Sequence, residues 1–110
     1  MTIQELLNKT DFKLMTPDVD TNVEIAGSFV GDLLSWVMGN SEPKQVWVTV
    51  QAHSNVIAVA ALREFSGVII CQGAVVGDDI VALANEENIP LLTSERSAFE
   101  VCRSLVDFGL

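Results

Sequence analysis

Histidine, cysteine and basic residues are all scarce in this sequence, and each scarcity removes a class of function. There is 1 histidine, His53, so no second histidine completes a metal set, and no acid lies near it in sequence to make it a general acid or base. The 2 cysteines, Cys71 and Cys102, have no CxxC spacing and each falls in an apolar stretch. They read as small core hydrophobes. Lys and Arg total 6 against 15 Asp and Glu, and the resulting net charge of −9 excludes a protein that grips a nucleic-acid backbone. No apolar run reaches the roughly 20 residues of a membrane span, and Met1-Thr2-Ile3-Gln4-Glu5 lacks the basic start of a secretory signal. The expectation is a cytoplasmic chain with neither membrane nor nucleic acid as a partner. No metal or organic cofactor is implied.

What is abundant is apolar surface: 49% of 110 residues, with a mean hydropathy of +0.38. One domain over 1–110 of that composition covers most of its elements on both sides, or leaves an apolar face for a partner. Val46-Trp47-Val48-Thr49-Val50 is β-branched or aromatic throughout, and it leads through Gln51-Ala52-His53-Ser54-Asn55 into an Ala/Val/Ile-rich segment. That is a buried strand feeding a crossover helix over about 52–64. Val68-Ile69-Ile70-Cys71 is a second fully apolar strand, which completes a βαβ unit.

Around this unit the chain reads in order. Thr2-x-x-Glu5 is a capping-box pattern that starts a short helix to Asn8, and Phe12 to Met15 is a short edge strand stopped by Pro17. Val23 to Gly27 alternates and predicts a strand, after which Gly27-Ser28 turns the chain. Asp32 is placed to cap a two-turn helix that Gly39-Asn40 ends with a left-handed cap. Asp78 and Asp79 open the next helix, where carboxylates suit the helix dipole. Pro90 to Leu92 is a strand, and Thr93-Ser94 precede a final helix from Glu95 to about Asp107 as its N-cap pair. Strands alternating with helices from Val46 onward predict a three-layer α/β/α sandwich around a mainly parallel sheet, with the N-terminal helix and strands against one edge.

Two surfaces stand out. Thr49, Gln51, His53, Asn55, Thr93 and Ser94 all fall at carboxyl ends of predicted parallel strands, where open α/β sheets receive ligands. Capping helices and satisfying buried backbone is the alternative work for the same residues. Phe29, Leu33, Leu34, Trp36, Val37 and Met38 concentrate apolar surface around a helix of only two turns. That surface reads as the interface of a homodimer, with burial in the core as its alternative.

Gly31-Asp32-Leu33-Leu34-Ser35-Trp36-Val37-Met38-Gly39, the stretch from Val46 to Ala60, Ile89 to Ser94, and Ser97-Ala98-Phe99-Glu100 together resemble the DRTGG domain family, and the likeness runs from Thr2 to Leu110. The motif that names the family is degenerate. Asp20 stands for its aspartate, Thr21 lies where the arginine would be, and Ala26-Gly27-Ser28 lies where a threonine and two glycines would be. The resemblance implies a fold similar to the N-terminal domain of HPr serine kinase, in domains that lie between regulatory CBS modules of some pyrophosphatases, near the N-terminal part of some phosphotransacetylases, or alone. It also points to pairing, since these domains are similar to ones that dimerise. The kinase activity belongs to a separate P-loop domain, and this chain has no GxxxxGK[ST].

The resulting expectation is a non-enzymatic regulatory module: a homodimer that senses a small ligand, such as a nucleotide or phosphorylated metabolite, and acts on a partner enzyme. Its competitors are a protein–protein adaptor without ligand and, behind that, a phosphotransfer enzyme.

Overall fold

Val46-Trp47-Val48-Thr49 has no polar break because both of its faces are covered. In the computed structural model, which describes residues 1–110, this segment forms β3 (Gln45–Thr49) beside β4 (Gly67–Ile70), and every residue from Val46 to Thr49 and from Gly67 to Ile70 is buried. On the far side of β3 lies β2 (Gly27–Val30), and on the far side of β4 lies β5 (Leu91–Thr93), all parallel. A two-residue strand β1 (Lys13–Leu14) pairs antiparallel with β5, which gives the order β1-β5-β4-β3-β2.

Successive side chains of a strand point to opposite faces, so each strand divides its residues between two cores. Trp47, Val68, Ile70 and Leu91 enter one core with α2 (Leu34–Asn40), α3 (Ser54–Leu62) and α4 (Asp78–Glu86), through Val37, Val56, Ile57, Ala60, Ile80 and Ala84. Val46, Val48, Ile69, Cys71 and Leu92 enter the other with α1 (Ile3–Asn8) and α5 (Ala98–Asp107), through Ile3, Leu6, Val101 and Leu105. This is a three-layer α/β/α sandwich. The strands β2 to β5 follow one another across the sheet in chain order, and crossovers of one hand moving in one direction place their helices on one face. The second face is left to the segments before and after that run.

Trp47 anchors the first core. It is fully buried, stacks on Phe65 with ring centroids 5.2 Å apart, and donates its indole N–H to the Gly31 carbonyl at 2.9 Å. The bond fixes the turn out of β2, and so places α2. Gly67 is required by close approach, since a Cβ there would meet Ile3 Cδ1 at 2.9 Å and the Pro90 carbonyl oxygen at 3.2 Å.

Several sequence expectations need correction. The N-terminal strands do not lie against one edge: β1 takes one edge and β2 the other. The alternation from Val23 to Ile25 is real, with Ile25 buried in the second core, yet that segment pairs with no strand of the sheet and is bridged instead to Thr2 through Glu24. The strand that joins the sheet begins at Gly27, whose φ of +155° suits glycine, so pairing with β3 overrides the expected turn. Helix α2 runs through Gly39 to Asn40 without a left-handed cap and stops at extended Ser41. Helix α5 starts at Ala98, because Ser97 and Glu100 form a capping box that Thr93 and Ser94 do not. Thr93 belongs to β5 instead.

Trp47→Phe keeps most of the ring packing but leaves the Gly31 carbonyl without its donor. Equilibrium urea unfolding should show a loss of about 1–2 kcal/mol, accompanied by looser protection of α2 amides in hydrogen exchange.

Candidate functional site

Asp32 does not cap α2, whose N-cap is Leu33 without a side-chain bond. It reaches across to the end of β3, where its Oδ1 accepts from the Thr49 hydroxyl at 2.8 Å and from the Val50 N–H at 2.9 Å. The Gln51 side-chain amide donates to the Asp32 carbonyl, and the Gln51 N–H donates to Thr49 Oγ1 at 3.2 Å. Thr49 and Gln51 are thereby occupied in bracing two loops. His53 is the N-cap of α3, with Nδ1 accepting from the Asn55 N–H at 3.1 Å, and both residues are exposed.

The six polar residues at the strand ends therefore do not form one site. Thr93 and Ser94 lie two strands away from the Thr49 end of β3, and they line a 490 Å³ cleft that Thr49, Gln51, His53 and Asn55 do not touch. The position of the cleft follows from the topology. The chain leaving β4 goes to α4 on the first face, whereas the chain leaving β5 goes to α5 on the second. Where neighbouring parallel strands send their connections to opposite faces, the loops diverge and a crevice opens at the carboxyl ends. Between β3 and β4 no such divergence occurs, because α3 and α4 share a face.

One wall of the cleft is the β4–α4 loop, with Gly73, Ala74 and Val76; the opposite wall is Thr93, Ser94, Glu95 and Arg96, and Asp11, Lys13 and Met15 close the edge. Gln72 and Gly73 both adopt left-handed conformations, a turn that glycine makes without strain and glutamine only at a cost. The turn is held by the Gln72 N–H on the Arg96 carbonyl at 2.8 Å and the Gly73 N–H on the Ser94 carbonyl at 3.0 Å. Gln72 Oε1 also accepts from the Ala98 N–H at 3.2 Å. The two loops thus form a single braced rim.

Charge at the rim is balanced but differently tied down. Arg96 donates Nε to Asp11 Oδ1 at 3.2 Å and Nη2 to Asp11 Oδ2 at 3.0 Å, with Glu100 Oε2 3.8 Å from Nη1. The guanidinium holds the Asp11 carboxyl below the usual carboxylate range, and Asp11 in turn raises Arg96. Lys13 forms no ion pair. No group of three His, Cys, Asp or Glu side chains gathers as a metal set. Burial pushes both thiols upward, the opposite of an activated thiolate, and Cys71 Sγ donates to the Thr49 carbonyl at 3.4 Å.

The apolar face divides as well. Val37 is fully buried and belongs to the core, and Phe29, Leu34 and Met38 are half-buried, Phe29 and Leu34 against that core. Leu33 and Trp36 remain 67% and 59% exposed, and Val30 on the edge strand joins them at 55%.

The sequence matches no family model and no curated protein. In fold it matches the crystal structure of the CBS and DRTGG domains of the regulatory region of Clostridium perfringens pyrophosphatase, complexed with its activator diadenosine tetraphosphate. The TM-score is 0.70 at 14% sequence identity, over 96% of this chain and 46% of that one. The chain is DRTGG-like in fold. The chain therefore spans about half the length of that regulatory region, and the likeness at this identity is one of architecture.

The crevice was only half visible in sequence. Thr93 and Ser94 follow from strand ends, but Lys13 and Arg96 come together only because β1 pairs with β5. Asp32→Ala removes the acceptor for Thr49 and Val50 together. It should lower stability by about 1–2 kcal/mol in urea unfolding, while Asp32→Asn, which keeps an oxygen acceptor, should lose less than half of that.

Proposed function

We propose that this chain is a non-catalytic regulatory module which takes up a small phosphorylated ligand, such as a nucleotide, and conveys its presence to a partner enzyme. The observation that carries the reading is the crevice at the carboxyl ends of β4 and β5, a 490 Å³ space of nucleotide-ligand size that a turn of left-handed residues holds open. The fold supports it, because the regulatory region of a pyrophosphatase that has a nucleotide activator shares this architecture over 46% of its chain. The crevice is lined by two hydroxyls, two cations, two carboxylates and the apolar side chains of Met15, Ala74 and Val76, and no hydrogen bond joins a hydroxyl to a base, which favours binding over chemistry.

The module works as a homodimer in this reading. Val30, Leu33 and Trp36 lie next to the unpaired edge of β2 and leave an apolar patch beside open backbone groups, and a second copy would cover both. A protein–protein adaptor without ligand would use this same patch.

A thermal-shift screen of the purified chain against adenine and guanine nucleotides, diadenosine tetraphosphate and acetyl phosphate tests the ligand. At a hundredfold excess over Kd, binding stabilises the folded state by about 2.7 kcal/mol, so a rise of several degrees is expected for at least one compound. No rise across the panel would leave the adaptor as the better account. Trp36→Glu should halve the mass measured by light scattering after size exclusion, and an unchanged dimer would remove the patch from the interface.

A further inference from the structure

Arg96 and Asp11 stand at the boundary of two hollows. They line the 490 Å³ crevice on one side and, on the other, a shallower 530 Å³ depression shared with Lys9, Thr10, Ser104 and Phe108. Their two-point pairing puts a carboxylate where a planar guanidinium would otherwise receive a ligand anion. The two side chains are 49% and 64% exposed, and an exposed pair of this kind adds little stability. It is therefore easily exchanged.

Lys13 lies two residues from Asp11 on the same edge, lines the crevice and has no acidic partner. Beside these cations are the hydroxyl of Thr93 and the buried Ser94, whose Oγ accepts from the Arg96 N–H at 3.1 Å and so keeps its own proton to donate. Across the gap, the N–H of Val76, which lines the crevice, makes no hydrogen bond within the chain. Met15, Ala74 and Val76 supply an apolar wall between the two polar ends. Glu95 sits on the rim, and a free carboxylate there, with Asp11, opposes any anion held only by long-range attraction. The anion must contact the cations directly.

We propose that the crevice binds a phosphate ester of nucleotide size, with its phosphate on Arg96 and Lys13 in the place that Asp11 holds in the free chain and its apolar body against Met15, Ala74 and Val76. This deepens the ligand-sensing reading and rests on it. Displacing Asp11 unties the segment between α1 and β1 from the β5–α5 loop, which converts occupancy of the crevice into a change at the N-terminal edge of the sheet.

Three variants give the exchange a signature that ordinary destabilisation does not. With ATP, diadenosine tetraphosphate and inorganic pyrophosphate as probes, isothermal titration calorimetry on the full chain should show Lys13→Ala and Arg96→Gln each raising Kd by about tenfold. Asp11→Ala should lower Kd, because the competing carboxylate is gone. All three side chains are exposed, so circular dichroism and thermal melting should remain close to the parent. Weaker binding in Asp11→Ala, or unchanged binding in both cation variants, overturns the exchange. If ATP or diadenosine tetraphosphate binds the parent chain but binding is abolished by His53→Ala and untouched at Lys13 and Arg96, the sensing role stands and the crevice falls. Absence of binding by every probe at millimolar concentration overturns both.

Discussion

Burial of β3 and β4 on both faces is the constraint from which the rest of the structure follows. A sheet whose central side chains are Val46, Trp47, Val48, Val68, Ile69 and Ile70 exposes apolar surface above and below unless two layers of helix cover it. Each such side chain is worth about 1.5–3 kcal/mol when fully buried, so neither face can be left open. Three successive crossovers put α2, α3 and α4 on one face. Only the ends of the chain remain to cover the other, and α1 and α5 do so through Ile3, Leu6, Val101 and Leu105.

The crevice is a by-product of that necessity. Because α5 must cross to the face that α4 does not cover, the loops after β4 and β5 part company, and β1 closes the gap from the side. The crevice and the second layer of the sandwich thus have one cause. Most other polar side chains near strand ends are spent on bracing. Asp32 ties the β2–α2 turn to the end of β3, Arg63 donates to Ser41 Oγ at 3.0 Å, and the Ser66 hydroxyl bonds to backbone carbonyls of the Glu24 and Lys44 turns. At the crevice, by contrast, Lys13 is unpaired and Arg96 is held by an exposed carboxylate.

Legibility in the sequence followed the range of the interaction involved. The two apolar strands, the capping box at Thr2 and the dipole carboxylates of Asp78 and Asp79 are short-range patterns, and each stands where the residues place it. The strand Gly27–Val30 carries a glycine, a serine and no alternation, and it exists because β3 offers it a partner. The polar residues from Thr49 to Asn55 gave a strong local signal for a ligand, yet their side chains answer to Asp32 and to the first turn of α3. What a strand end offers a ligand depends on where its neighbour's connection goes, and no local pattern records that.

By itself the sequence determined the alternation of strands and helices and the two-sided burial at the centre, because composition and periodicity act through transfer from water. Tertiary structure alone decided which strands stand at the edges, that Val37 turns inward while Leu33 and Trp36 stay outside, and that residues 11, 13 and 96 meet at one rim. Those outcomes rest on contacts between residues as far apart as Asp11 and Arg96. The free energy of such contacts depends on the order in which strands are laid side by side, which the residues specify only together.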